Sequence, residues 1–469
     1  MKIITTSRKS GSGGREPGKR GREIRTMIQL SDHFNIPRLL RFTFPSIIML
    51  VFTSIYSVVD GFFVSNFVGK TPFTAVNFIM PFLMILGCVG FMFGTGGGAL
   101  IAMTLGEGDR ERANQTFSLL VYVSIACGIV LSAFGLIFLR PIAGALGASG
   151  QMLEDSVTYG RIILLAIPAY ILQYEFQCLF ATAEKPQLGL CVTVAAGLTN
   201  IVLDALFVAV FSWGLEGAAA ATALSQCVGG VIPLFYFSRP NASLLRLTRA
   251  KFDGNVLLKT CTNGSSELMS NLSMSVVSML YNVQLLKYAG EDGIAAYGVL
   301  MYVSMIFQAV FIGYSVGTAP IISYHYGAQN HQELKGLLKK SLVIIGVFAL
   351  MMFSAAELLS GPLAMIYVGY DQGLLAMTLR AFLIYSFSFL FSGFSIFGSS
   401  FFTALNNGLV SALISFLRTL VFQVAAVLLF PLIWKLDGIW LSVVGAEVMA
   451  LIVTLLFLVG NRKTYHYSC

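Results

Sequence analysis

Residues 74–102 read TAVNFIMPFLMILGCVGFMFGTGGGALIA, and no charged side chain lies between Lys70 and Glu107. About 20 apolar residues in a helix suffice to cross the hydrocarbon core of a bilayer. Similar apolar runs recur along the whole chain, separated by short polar breaks. They predict an all-α polytopic membrane protein with twelve transmembrane helices, near residues 39–63, 74–102, 116–139, 160–182, 188–211, 215–237, 257–284, 293–322, 341–358, 376–403, 408–433 and 438–460.

The composition excludes a soluble globular protein. Of the 469 residues, 56% are hydrophobic and 11% are charged, whereas soluble domains carry about 25% charged residues. The net charge of +8 does not indicate a nucleic-acid partner, because the basic residues lie between apolar runs instead of forming one patch. With the N-terminus in the cytoplasm, 23 Lys and Arg residues fall on the cytoplasmic side and six outside. This bias predicts a multi-pass protein of the cell (inner) membrane with both termini cytoplasmic.

The second half of the chain repeats the first at a constant spacing of 221 residues. An even number of spans in each half makes the repeats parallel. We therefore expect two six-helix bundles related by a pseudo-two-fold axis along the membrane normal. The pairs that carry the repeat are Gly69 and Gly290, Gly96 and Gly317, Gly106 and Gly327, Phe180–Ala183 and Phe401–Ala404, and Leu215–Gly217 and Leu436–Gly438.

The polar breaks divide the chain into five segments. We expect the Gly- and Arg-rich N-terminus to be disordered, and Met27 to be the natural start. We also expect the protein to be a monomer. The segments are a basic N-terminal segment (1–36), a first lobe (37–237), a cytoplasmic linker (238–255), a second lobe (256–460) and a cytoplasmic tail (461–469).

Acidic residues within the spans are candidates for function, since ionisable groups are costly inside a bilayer. In the first lobe, Asp60, Asp204 and Thr222 all fall in the outer half of their helices. Asn200 precedes Asp204 by four residues and shares its helix face, and Tyr159 lies where the fourth helix enters from outside. Two carboxylates, an amide, a hydroxyl and a phenol predict a site for Na⁺ or H⁺. The alternative is that both acids only pack helices together.

The second lobe contains a further set of ionisable residues. Glu267 begins a polar stripe with Asn271, and this stripe is either a second coupling site or a lining of the central cleft. Arg418 is the one basic residue within a span, and Glu447 on the next helix is its natural partner. An unpaired buried arginine is expensive, so we expect a structural ion pair. No catalytic constellation or cofactor motif is present in the sequence, so we do not expect an enzyme.

Several of these stretches resemble the MATE (multidrug and toxic compound extrusion) family of transporters. The resemblance covers residues 37–460 and rests on three motifs, which are Val59-Asp-Gly-Phe-Phe-Val-Ser-Asn-Phe-Val-Gly69, Thr199-Asn-Ile-Val-Leu-Asp204 and Leu215-Glu-Gly-Ala-Ala-Ala-Ala-Thr222. It implies a cation antiporter that exports organic, often cationic and amphipathic, drug-like compounds in exchange for Na⁺ or H⁺. It also implies a coupling role for Asp60, Asn200, Asp204, Thr222 and Tyr159, and a bend of the first helix at Pro45.

One feature departs from the family pattern. Members with a cation site in the second lobe have a Glu further along the seventh helix, where this chain has Met274 or a neighbour, whereas Glu267 lies seven residues earlier. The choice between Na⁺ and H⁺ also stays open. The main alternative keeps the fold but changes the cargo, as in a flippase or exporter of lipid-linked saccharides or other amphipathic metabolites. Such proteins usually need a wide cationic cavity, which a single intramembrane arginine does not supply.

Overall fold

The computed structural model describes residues 28–68, 70–369 and 371–467, and these ranges contain helices and turns but no strand. Residues 1–27, including the expected start at Met27, lie outside the described residues. Two helices of the first lobe continue as π-helical turns, at Val64–Val68 and Ala205–Val210. The helices of the first lobe are α1 (Ile36–Phe63), α2 (Lys70–Gly106), α3 (Arg110–Ala145), α4 (Gly150–Thr182), α5 (Pro186–Asp204) and α6 (Gly214–Ser238).

The second lobe contains two long helices that are each broken by one residue with positive φ. Gly290 (φ 66°) divides Gly254–Gly327 into α7 (254–289) and α8 (291–327). Lys435 (φ 50°) divides Phe422–Gly460 in the same way. The remaining elements are α9 (His331–Val368), α10 (Gln372–Tyr385, Ser386–Ser388 and Phe389–Ala404), α11 (Gly408–Phe416, the π-helical Leu417–Val421, and 422–434) and α12 (436–460).

The predicted fold of twelve transmembrane helices in two bundles is confirmed. Ten described segments are long and apolar enough to cross a membrane, and one of them, Gly408–Gly460, holds both α11 and α12. The twelfth span is α7, which is more polar. Several helices are longer than the apolar runs predicted. With 36 residues, α3 extends roughly 54 Å, because its polar first turn is capped by Asp109 beyond the apolar run.

The chain before α1 corrects part of the expected disorder. Residues 28–35 lie within the segment predicted to be disordered, yet they pack against both lobes. Leu30 and Phe34 are completely buried in an apolar cluster with Leu334 and Leu337 of α9. The Gly- and Arg-rich composition that indicates disorder ends before these residues, and two apolar side chains then supply enough buried surface to hold the segment.

The two lobes meet through contacts that repeat across the pseudo-two-fold axis. Gly106 at the end of α2 lies against the backbone carbonyl of Tyr324 in α8. Its repeat partner Gly327 lies against the backbone carbonyl of Met103, which is itself the repeat partner of Tyr324. The turns that follow α2 and α8 each contain a residue with positive φ, Gly108 (87°) and Gln329 (57°). These two residues are separated by the same repeat spacing. Such reciprocal pairing is the signature of a two-fold interface.

Among the described residues, the apolar clusters that join the two lobes lie at one side of the molecule and in its middle, and none lies at the opposite side. We call the side where residues 28–35 and 461–467 lie the terminus side. Here Leu39, Phe42 and Ile47 of α1 join a cluster with α8, α9 and α10. On the opposite side, one cluster contains residues 64–219 of the first lobe and another contains residues 277–443 of the second. The described lobes are therefore packed together at the terminus side and have separate cores at the opposite side.

Candidate functional site

The predicted acids of the first lobe come together between α1, α5 and α6. The Thr222 hydroxyl lies 3.4 Å from Asp60 Oδ1 and 3.1 Å from the Ala218 carbonyl, and it shares its one proton between these two acceptors. The side chains of Asn200 and Asp204 lie beside the same Asp60 carboxyl group. Tyr159 of α4 lies next to Thr222 and close to both acids. The structure thus gathers all five residues into one cluster, which we call the first-lobe acidic cluster.

Close packing of α1 on α5 brings the cluster together. Gly197 of α5 lies directly against the rings of Phe52 and Tyr56 in α1, and any side chain at that position would collide with them. Asp60 lies one helical turn beyond Tyr56. Because helical residues four apart share one face, this approach carries Asp60 towards the face of α5 that bears Asn200, just beyond Gly197.

The first-lobe acidic cluster is buried and short of hydrogen-bond partners. Asp204 and Tyr159 are fully buried, and Asn200 and Asp60 are 1% and 9% exposed. Both oxygens of Asp204, both polar side-chain atoms of Asn200 and the Tyr159 hydroxyl have no hydrogen-bond partner among the described residues. Buried polar groups are nearly always satisfied in native proteins. The arrangement therefore fits a group of oxygen ligands directed towards a bound cation or proton.

Two adjacent carboxylates also repel each other in a medium of low dielectric constant. A proton on one carboxyl group, or a cation between the two, removes that repulsion. Hard cations prefer carboxylate, amide and hydroxyl oxygens, and the cluster offers all three. The π-helical turns Val64–Val68 and Ala205–Val210 follow Asp60 and Asp204 closely. Turns of this type occur often at functional sites.

Tyr56 is a neighbour of this cluster that sequence reasoning missed. Its side chain lies beside Gln173 of α4 and near Asp60. Behind it, the hydroxyls of Tyr170 and Tyr174 lie 2.9 Å apart. The spacing of four residues between Tyr56 and Asp60 indicates that they share a helix face. Tyrosine is common in membrane helices, however, so its presence alone does not indicate a functional role.

The predicted bend residue lies far from the acids. Pro45 is inside α1, which runs as one helix from Ile36 to Phe63. Gly313 of α8 packs against the backbone of Ser46 and Ile47, the next two residues of α1. Fifteen positions separate Pro45 from Asp60, which corresponds to roughly 22 Å along the helix. Pro45 therefore lies at the contact between the lobes on the terminus side.

In the second lobe, Arg418 and Glu447 form a buried ion pair. Arg418 Nε lies 2.9 Å from Glu447 Oε2 and 3.1 Å from Oε1, and the two side chains are 13% and 4% exposed. Arg418 belongs to the π-helical turn Leu417–Val421. Glu267 interacts electrostatically with Arg418, while Asn271 donates its side-chain N–H to the Glu267 backbone carbonyl at 2.8 Å.

These second-lobe residues line a cavity of about 220 Å³. Residues of α2 and α4 in the first lobe close one side of it. Apart from Asn271, the aromatic and amide side chains of its wall were not singled out from the sequence, because no spacing rule marks residues contributed by four different helices. The lining includes Thr95, Cys178, Glu267, Asn271, Met274, Tyr281, Tyr297, Met301, Gln308, Tyr385, Arg418, Gln423 and Glu447. We call this space the second-lobe cavity.

Comparison with known proteins agrees with the repeated architecture. The family model MatE matches twice, at residues 45–206 and again at 268–429. The multidrug export protein MepA of Staphylococcus haemolyticus is 26% identical over 365 residues, which are 76% of this chain and 80% of that protein. MepA of Staphylococcus aureus strain NCTC 8325 is 24% identical over 363 residues, with the same coverage of both chains.

Solved structures show the same fold. One is the outward-facing conformation of a multidrug resistance MATE family transporter of the MOP superfamily. It superimposes with a TM-score of 0.89 at 21% identity, and the match covers 94% of this chain and 99% of that one.

Proposed function

This chain belongs to the MatE family, and on that premise we propose that it exports organic compounds across the membrane in exchange for Na⁺ or H⁺. Family membership makes the protein a multidrug-efflux type of transporter and not an enzyme. The observation that carries the coupling proposal is the first-lobe acidic cluster, where two buried acids lie side by side.

The arrangement of the lobes supports alternating access as the transport mechanism. The lobes share apolar packing at the terminus side and have separate cores at the opposite side. If the 23 basic residues predicted on the cytoplasmic side orient the protein, the separated side faces outwards. Rocking of two six-helix lobes about a central cleft is the usual mode of transport for such repeats.

The coupling step proceeds from the charges of the cluster. A cation or proton enters from the separated side and binds at Asp60 and Asp204, which removes their mutual repulsion. Asp60 is then drawn towards Asn200 and Thr222, and α1 bends near Pro45 at its contact with α8. The bend moves α1 at the interface between the lobes and releases the exported compound from the central cleft, and the lobes then rock to return the cation to the cytoplasm.

Substrate class and setting belong to the same proposal. We propose amphipathic, drug-like organic compounds as the cargo, with the monomer in the cell (inner) membrane and both termini in the cytoplasm. A flippase for anionic lipid-linked saccharides is less well supported. Arg418 is the basic residue among those that line the second-lobe cavity, and its charge is already paired with Glu447.

Ethidium efflux from proteoliposomes under an imposed Na⁺ or pH gradient tests the proposal. Asp60→Asn and Asp204→Asn should each abolish gradient-driven efflux, since an amide neither carries a proton nor attracts a cation in the same way. Glu216→Gln, which removes an exposed carboxylate at the start of α6, should leave efflux unchanged. Full activity in both aspartate variants would refute coupling at this cluster, and comparing the two gradients identifies the ion.

A further inference from the structure

The second-lobe cavity contains one carboxyl group that has no ion-pair partner among the described residues. Among the described residues that line it, Glu267 and Glu447 are the carboxylates and Arg418 is the guanidinium. Glu447 holds Arg418 through both carboxylate oxygens. No hydrogen bond from the described residues is recorded at the Glu267 carboxylate, and its interaction with Arg418 is electrostatic only. The cavity is thus suited to a ligand with a positive charge.

The wall of the cavity is aromatic and deformable. Tyr281 and Tyr297 stack in parallel, with ring centroids 5.3 Å apart and planes 3° from each other. Hydrogen bonds to Gln423 and Ser442 hold the Tyr281 hydroxyl and so fix the position of that ring. Two thioethers, Met274 and Met301, also line the space. Aromatic faces attract cations, and methionines adapt to ligands of different shape.

The same surroundings disfavour a small inorganic cation. A metal ion bound directly to the Glu267 carboxylate would have the Arg418 guanidinium nearby as a like charge. The first-lobe acidic cluster, in contrast, contains two carboxylates and no basic residue among the groups that face it. A large cation with its charge spread over rings avoids this conflict.

We propose that the second-lobe cavity binds the transported compound as an aromatic organic monocation, with Glu267 as the counter-charge. This inference rests on the proposed export function and assigns ion binding and cargo binding to different lobes. The coupling ion binds to Asp60 and Asp204 in the first lobe, and the cargo binds in the second.

Fluorescence anisotropy of ethidium with the purified protein tests this assignment. Glu267→Gln should weaken ethidium binding by about tenfold or more, equivalent to about 1.4 kcal/mol, and Glu267→Asp should retain part of the affinity. A neutral aromatic probe of similar size should bind the glutamine variant and the unmodified protein equally. Glu216→Gln serves as the matched control, because it also removes one carboxylate but lies outside the cavity lining.

The outcomes separate the two proposals. Ethidium binding that survives in Glu267→Gln at unchanged affinity would overturn the cavity assignment and leave export intact. Equal loss of binding for the charged and the neutral probe would also overturn it, because the variant would then have changed the shape of the cavity. If the unmodified protein binds no organic cation at all, the proposed export of such compounds fails first.

A second inference comes from residues 28–35, which connect the lobes at the terminus side. The Leu30 backbone N–H donates to Glu184 Oε1 at 2.6 Å, and Glu184 lies between α4 and α5 of the first lobe. The Phe34 backbone N–H donates to Glu333 Oε1 at 3.0 Å, in α9 of the second lobe. His33 Nδ1 lies 2.6 Å from the other oxygen of Glu333.

Two further features hold this segment in place. The Leu30 and Phe34 side chains are fully buried, and the Lys340 ammonium group donates to the Phe34 carbonyl. Each carboxylate therefore anchors the segment to a different lobe, and each contact involves backbone N–H groups that must otherwise find water. Separation of the lobes at the terminus side would pull these anchors apart.

We infer that residues 28–35 form a latch that holds the lobes together at the terminus side and is released when that side opens. Electron–electron double resonance between spin labels at Arg112 in the first lobe and Lys335 in the second measures the opening. Both positions are exposed and outside the latch. The seven native cysteines are first replaced.

Glu333→Ala and Glu184→Ala should each add a population at longer distance than in the unmodified protein, and the double variant should add more. Phe34→Ala, which keeps both carboxylates, should act in the same direction. Glu107→Ala removes an exposed carboxylate from the same face and should leave the distances unchanged. Distance distributions that match the unmodified protein in all four latch variants, from correctly folded samples, would disprove the latch.

Discussion

Gly106 at the end of α2 lies directly against the backbone carbonyl of Tyr324 in α8, on the opposite side of the interface between the lobes. A side chain at this position has no space, because the obstacle is backbone and not the flexible end of a side chain. The reciprocal contact of Gly327 with the Met103 carbonyl doubles the constraint. Closure at the terminus side therefore depends on two glycines placed 221 residues apart.

Gly106→Ala should lower the melting temperature of the purified protein. An added methyl group in a tight contact typically costs about 1–3 kcal/mol, and here it should also weaken closure between the lobes. Gly298→Ala is the matched control, since nothing lies within 4 Å of a Cβ at that position in α8. The control should be neutral or slightly stabilising, because alanine favours a helix interior over glycine by about 1 kcal/mol. Equal melting temperatures for the two variants would contradict the tight contact.

Coupling should depend on the hydroxyl group of Thr222 and not on the size of its side chain. Thr222→Val preserves the shape but removes the hydrogen bond to Asp60, so gradient-driven ethidium efflux should fall several-fold. Thr222→Ser keeps the hydroxyl and should retain most of the rate. Initial efflux rates from proteoliposomes with matched protein content provide the measurement. A valine variant that is as active as the serine variant would show that this hydroxyl takes no part.

Much of the first-lobe site could be predicted because its residues follow helix periodicity. Asn200 and Asp204 share one face of α5, and their depth matched that of Asp60. The close approach of α1 to α5 could not be predicted from helix periodicity. Gly197 permits it through contact with Phe52 and Tyr56, and nothing in the sequence says which of 46 glycines faces another helix.

The second-lobe cavity and the latch were harder to predict from the sequence, for a different reason. Tyr281, Tyr385 and Gln423 come from separate helices, so only the packed structure shows that they share a wall. The latch depends on Leu30 and Phe34, two apolar residues beside a long polar and basic stretch. Average composition predicts disorder there, whereas the burial of these two side chains decides the outcome.

The buried ion pair should be far more sensitive to the loss of one partner than to the loss of both. Glu447→Gln leaves the Arg418 guanidinium buried without its counter-charge, which typically costs about 3–5 kcal/mol. The double variant Arg418→Met with Glu447→Gln removes both charges and should recover most of the thermal stability. As a control, Asp437→Asn breaks the exposed pair with Arg380 and should change the melting temperature little. A double variant as unstable as Glu447→Gln alone would contradict this account.

The latch should loosen as the pH rises, because of Glu184. Burial raises the pKa of the Glu184 carboxyl group, while the Leu30 N–H, Lys185 and Arg110 act against the shift and Asp32 adds to it. A raised pKa means that the docked state favours the protonated form, so docking is stabilised at low pH and weakens as the pH increases through that pKa. The long-distance population in the resonance experiment should therefore grow from pH 5 to pH 8. The measurement is made in a background in which both His33 and His325 are replaced by Asn, because both imidazoles contact the latch.

Glu184→Gln isolates the cause of this pH dependence. The glutamine carbonyl can still accept the hydrogen bond from the Leu30 N–H, but the side chain is neutral at every pH. The latch should then stay closed across the whole range, unlike in Glu184→Ala, where the acceptor itself is lost. If the long-distance population of the Glu184→Gln variant grows with pH as much as that of the protein with Glu184, the pH response comes from another group. Burial of the Glu184 carboxyl group then does not control the latch.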